Sequence, residues 1–167
     1  MAPTTENGLA QQRSRMSDPI ASVPELKEIS TWMYRSVDNG SVSQITIGLT
    51  HLRAGQIVRS TYLAVMHTDV LRQAGETEER ITSVATWRDA SCFTAAERAA
   101  LALTEAVLEP RLDGERVSDE LFAEAAAHFD EKALATLCLA LGQVTYFIPL
   151  ALIGKPLPGK PYSEQWT

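Results

Sequence analysis

His67 is the residue in this 167-residue chain best suited to chemistry. In the run STYLAVMH, residues 60–67, offsets of seven, four and three put Ser60, Leu63 and Ala64 on its helical face. An imidazole there can give or take a proton near neutral pH. It can equally be a satisfied core or interface histidine. Three residues are candidates to assist it in catalysis. Tyr62 can orient a substrate through its hydroxyl or simply pack. Glu105 lies among apolar residues in LALTEAV. A carboxylate so placed can have a raised pKa and serve as an acid or base, or it can hold an arginine partner. Tyr146, with Gln143 and Thr145, interrupts an apolar final helix. Polar groups at such positions line pockets or bond between helices.

Ser60, Leu63, His51, Gln56 and Gln143 are the candidates for substrate contact. Arg53 and Gln56 can meet an anionic substrate or stitch helices together. A Ser60–His67 nucleophile pair is disfavoured, because two helical turns, about 10 Å of rise, separate the two residues. Cys92 and Cys138 have no Cys or His partner at metal or redox spacing, and Cys138 reads as a small core hydrophobe. His128 reads as a surface residue near a helix end. No metal spacing and no glycine-rich phosphate loop occurs, so neither a metal nor another cofactor is expected.

A net charge of −6 argues against non-specific nucleic-acid binding, which needs a positive field. The longest apolar stretch, Ala133 to Ile153, is interrupted by Gln143, Thr145 and Pro149, and reads as a buried helix rather than a membrane span. The N-terminus has no apolar signal core, so a cytoplasmic location is expected.

The elements that must position these residues are helices. Apolar spacing and start signals predict helices after Ser22, over 41–56, 60–73 and 76–88, from the capping box Thr94–Glu97 to about Glu109, after Ser118, and from Asp130 onward. Arg111 to Val117 reads as a polar loop. No stretch alternates with period two, so the fold class is all-α. The organisation reads as a mobile tail over 1–21, one helical domain over 22–154 and a Pro/Gly-rich tail over 155–167. Tyr162 and Trp166 of that last tail fold back on their own domain or dock on a neighbouring subunit.

Three runs carry a family resemblance: LTHLRAGQ at 49–56, LRAGQIVRSTYLAVMHTDVLRQAGE at 52–76, and GETEERITSVATWRDASCFTAAERAALALTEAV at 75–107. They resemble the AhpD-like and carboxymuconolactone decarboxylase-like superfamily over roughly residues 46–153. The resemblance implies a compact AhpD-like helical bundle assembled into homo-oligomers, whether dimer, trimer or hexamer. Redox members carry Cys-x-x-Cys, a histidine four residues after the second cysteine, and a glutamate about twelve residues before the first. Here those positions read Ser60, Leu63, His67 and Gly48. A peroxidase needs a regenerable thiolate, and Leu63 cannot supply one. Alkylhydroperoxidase activity is therefore not expected. The thiol-independent decarboxylase branch of the superfamily keeps a comparable histidine. The resemblance thus implies acid/base chemistry on a small organic substrate, of decarboxylase, isomerase, lyase or cyclase type, or else a non-catalytic binding or assembly protein on the same scaffold.

Overall fold

The computed structural model describes residues 13–109 and 114–167, and every regular element in them is helical. In chain order the helices are α1 (Pro19–Ser22), α2 (Glu25–Val37), α3 (Gln44–Ile57), α4 (Thr61–Gln73), α5 (Glu78–Ser83), α6 (Ala95–Leu108), α7 (Asp119–Ala126) and α8 (Glu131–Gly154). Short 3-10 turns follow α5 at Val84–Thr86 and close the chain at Tyr162–Glu164.

The starts follow local chemistry. Ser43, Ser60, Thr77, Ser118 and Asp130 each accept a backbone N–H of the first turn, and Thr94 and Glu97 form the full capping box. The fourth expected helix is shorter than its pattern, since its last turn tightens into the 3-10 form before Trp87. The loop expected over 111–117 lies partly outside the described residues.

Helix α3 is the axis of the fold. Thr46 to Leu52 are buried without a break, as are Ala54 and Gly55, so it is enclosed on all sides by α4, α6 and α8. Glycine makes this possible. A Cβ on Gly55 would lie 3.0 Å from the Leu63 Cβ, and one on Gly48 would lie 2.8 Å from the Leu71 Cδ2. Two apolar clusters flank α3. One joins Val37, Ile47, Ala100, Phe129 and Leu137; the other joins Leu49, Leu52, Leu71, Val84, Trp87 and Leu101.

Helix α8 continues through Pro149, although a proline there removes one backbone hydrogen bond. By length and apolar content it is the one helix among the described residues that could cross a membrane. One of its faces is core: Ala133, Leu137, Ala140, Leu141 and Val144 are buried against the bundle.

Residues 13–21, expected in the mobile tail, are held. Ser14 N–H donates to Thr167 O at 2.9 Å, and Arg15 N–H to Gly154 O at 2.7 Å. The 155–167 segment folds back on its own domain and meets this N-terminal arm. Leu157 N–H donates to Gln165 O at 2.8 Å, and the Tyr162 hydroxyl to Asp18 Oδ1 at 2.6 Å.

Candidate functional site

A chamber of about 300 Å³ opens where α2, α3, α4 and α8 meet the two terminal segments. Helix α4 supplies Tyr62, Leu63, Met66 and His67; α3 supplies His51; α8 supplies Gln143, Val144, Phe147, Leu150 and Ala151. Helix α2 contributes Leu26, Ser30 and Tyr34. Pro19, Ile20, Pro156, Tyr162, Gln165 and Trp166 close the remaining side. Among the described residues none that lines it is Asp, Glu, Lys, Arg or Cys.

The two histidines form its polar heart. Their ring centroids lie 5.0 Å apart with planes tilted by 58°. His51 Nε2–H donates to the Ala140 carbonyl at 2.9 Å, because the carbonyl can only accept. That contact puts a proton on Nε2. Burial lowers the His51 pKa to about 4, with the hydrogen bond to Ala140 opposing the shift. Burial, and then the neighbouring His51, lowers the His67 pKa to about 3. Both imidazoles are therefore uncharged at neutral pH. His67 Nε2 is buried with no hydrogen-bond partner among the described residues, and so are both amide atoms of Gln143 and Nε1 of Trp166.

The phenols are ordinary proton carriers. The Tyr62 hydroxyl donates to Gln165 Oε1 at 2.8 Å, and Gln165 Nε2 donates to Lys160 O at 2.8 Å. Burial, followed by nearby Tyr34, raises the Tyr62 pKa, and burial raises that of Tyr34. Both therefore keep their protons at neutral pH.

Of the nine candidates, His67, Tyr62, His51, Leu63 and Gln143 come together at the chamber. Four do not. Ser60 is the N-cap of α4, its Oγ accepting Leu63 N–H at 3.3 Å. A cap leaves the helical path, so the shared face with His67 is lost. Ser60 lines a separate groove of about 390 Å³, with Arg13, Arg59 and Lys155.

Glu105 also lies away from the chamber. Its Oε1 accepts Arg53 Nε–H and Trp87 Nε1–H, each at 2.8 Å, and Oε2 accepts from Arg88. Burial would raise its pKa. The hydrogen bonds from Arg88 and Trp87, with the charges of Arg53 and Arg88, outweigh burial and hold it below the usual carboxylate range. The expectation of a raised pKa is corrected, and the arginine partner is the outcome. Gln56 reaches only Arg53 Nη1, at 3.5 Å, outside the chamber. Tyr146 is exposed on the outer face of α8. It follows Gln143 by three residues, yet it stands one residue, about 100°, round the helix from Phe147, which does face inward.

Cys92 is half-buried beside the second cluster and Cys138 is exposed on α8, contrary to the core position expected for it. His128 is exposed, as its place in the sequence suggested. The residues that sequence reasoning missed are Tyr34, Met66, Phe147 and Gln165. The only hint of Gln165 was its place beside Trp166 in an aromatic-bearing tail.

Residues 24–106 match the model of the carboxymuconolactone decarboxylase family. An uncharacterized protein, YdfG of Bacillus subtilis (strain 168), is 31% identical over 121 residues, which cover 72% of this chain and 81% of that protein. A crystal structure from Agrobacterium tumefaciens, of a protein of unknown function suggested to be the antioxidant defence protein AhpD, superposes with a TM-score of 0.79. It is 22% identical and covers 89% of this chain and 100% of its own. The debrominase Bmp8 superposes with a TM-score of 0.67 at 15% identity, over 77% of this chain and 68% of the enzyme. A Cys-to-Ala variant of Bmp8 in complex with 2,3,4-tribromopyrrole gives 0.66. At these identities the solved structures speak for the fold. The match to the family model, with the related Bacillus protein over most of both lengths, shows that the chain belongs to the carboxymuconolactone decarboxylase family.

Proposed function

We propose that this protein is a thiol-independent enzyme that binds a small organic molecule in the chamber and moves a proton on it through His67. The reaction types that fit are isomerisation, elimination, cyclisation and decarboxylation. One observation carries the reading: an unpartnered His67 Nε2, buried in a ligand-sized wall that holds no thiol. A neutral imidazole with a lowered pKa is a weak base at rest. It accepts a proton when negative charge develops on a substrate carbon or oxygen beside it, and the surrounding apolar wall strengthens that interaction. Tyr62 offers a proton-bearing hydroxyl on the same wall. Bmp8, which shares the fold, holds a small flat heteroaromatic, a molecule of the size this chamber suits.

The test is proton exchange. Small carbonyl compounds incubated in deuterated buffer should exchange their acidic C–H protons faster with the protein than without it. His67→Gln, folded by circular dichroism, should lose that acceleration. Equal rates for the two proteins would sink the reading.

A second reading, binding without turnover, is favoured by the same weak basicity of both imidazoles. Ligand affinity without exchange would select it. An open chamber beside His67 weighs against the purely structural version, in which side chains would fill the site.

We further propose that a second copy of this chain covers the outer face of α8. Ala135, Cys138, Gly142, Thr145, Pro149 and Leu152 are exposed at alternating spacings of three and four, with Leu139, Tyr146 and Ile153 beside them. No charged residue occurs from Ala133 to Gly154, and a Cβ on Gly142 would meet nothing within 4 Å. An uncharged seam of this period suits helix-to-helix packing.

A further inference from the structure

Gln143 presents a problem that the proposed proton transfer does not solve. Its side chain is only 4% exposed, it lines an otherwise apolar stretch of α8, and both its Nε2 and its Oε1 lack partners among the described residues. Burying one unmade donor or acceptor costs about 1–3 kcal/mol, and native proteins rarely keep two on one side chain without a use for them. Ala140, one turn earlier on the same helix, holds His51 in place. The amide thus lines the same chamber as the histidine pair.

We propose that the chamber selects uncharged molecules bearing an adjacent donor and acceptor, such as a lactam or amide edge, and that Gln143 reads that edge with two parallel hydrogen bonds. A primary amide offers one N–H and one C=O side by side, which is the self-complementary match for another amide. The match is the same whichever way the Gln143 amide is turned, since both ends are free. A carboxylate fits badly. It carries only acceptors and would set one of them against Oε1, and among the described residues no cation on the chamber wall would offset its desolvation. A cation fits no better, because no carboxylate lines the wall among the described residues. His67 Nε2 supplies a third unpartnered polar atom, able to donate or accept according to tautomer. The inference rests on the chamber being the ligand site. Within that reading it narrows the substrate to uncharged amide- or lactam-like compounds and ranks isomerisation or elimination above decarboxylation of a free carboxylate.

Three flat molecules with a common two-ring frame separate the possibilities by isothermal titration calorimetry at neutral pH: quinolinone, a lactam; naphthalene, with no polar edge; and naphthoate, a carboxylate. Quinolinone should bind at least about tenfold more tightly than naphthalene, and Gln143→Leu and Gln143→Met should each erase the difference. The same variants, without ligand, should melt about 4 °C or more higher, because two unmet polar groups leave the core. A merely structural glutamine would melt lower when replaced and would leave the preference unchanged. Naphthalene binding as well as quinolinone overturns the inference and leaves the chamber standing as a ligand site. Tightest binding of naphthoate overturns it too and points to the groove of Arg13, Arg59 and Lys155. Failure of all three to bind overturns both the inference and the chamber.

Discussion

His51 and His67 stand ring to ring, 5.0 Å between centroids, and neither carries a charge at neutral pH. One comes from the axial helix and the other from the helix packed on it. Their pairing makes a buried, uncharged polar centre, which a lone histidine on either helix would not make.

That pairing fixes a pH dependence. An unfolded histidine titrates near 6.5, while these two stay neutral in the folded protein down to about 4 and 3. Below 6.5 the unfolded chain therefore binds more protons, and stability falls as pH falls through that window. At about pH 5 the loss should be roughly 2 kcal/mol for each imidazole. Urea unfolding at neutral pH and at about pH 5 measures it. His67→Leu should remove about half of the acid sensitivity, and an unchanged acid slope would contradict the pairing.

Glu105 is a brace rather than an acid. Removing it as Glu105→Ala takes from Arg53 its nearest carboxylate, leaves the Trp87 N–H without its acceptor, and should cost about 3 kcal/mol of stability. The affinity of any chamber ligand should not move. A calorimetric titration beside a denaturation curve separates the two effects, and a loss of affinity at full stability would return Glu105 to the site.

Gly48 and Leu71 have adapted to each other. A Cβ at residue 48 would come within 2.8 Å of the Leu71 Cδ2, and Leu71 is fully buried. Gly48→Ala should destabilise by about 1–3 kcal/mol, and Leu71→Val in the same chain should recover part of that. Additive losses in the double variant would show that the two positions are independent.

Gly154 lets the two termini close the chamber. A Cβ there would lie 2.8 Å from both the Met16 Sδ and the Trp166 Cζ3. Gly154→Ala should displace Trp166, shift tryptophan emission to the red and weaken ligand binding severalfold. Emission identical to the parent would mean that the strap accommodates the methyl group.

The outer face of α8 predicts self-association. Leu139→Glu or Tyr146→Glu puts a charge into the exposed seam and should shift the mass measured by light scattering toward the monomer, with helicity unchanged. A monomeric parent protein would sink the idea.

Helix positions were largely legible because their signals are local. Ser43, Ser60, Thr94, Ser118 and Asp130 cap helices by bonding groups three residues away, and apolar spacing marks the buried stripes. The family could be read from Leu49 to Val107, and with it the placement of His67 on α4. Leu63 alone, by its side chain, excluded thiol chemistry at its position. The roles that failed to follow depended on distant partners. Glu105 looked like a candidate acid until Arg53, fifty-two residues away, met it. Tyr146 and Gln143 looked alike in one polar interruption of α8, but the packing of that helix turned one outward and the other inward.

The sequence by itself determined the helices, the family, the missing thiols and the retained histidine, because each is a matter of residue type and short spacing. The tertiary structure alone decided that His51 faces His67, that the chamber is uncharged, and that Gln165 and Trp166 close it from the end of the chain. Those relations join residues far apart in the chain, such as Tyr62 and Gln165, 103 positions from each other. Burial and hydrogen bonding between such partners exist only once the bundle has packed, and no local pattern encodes them.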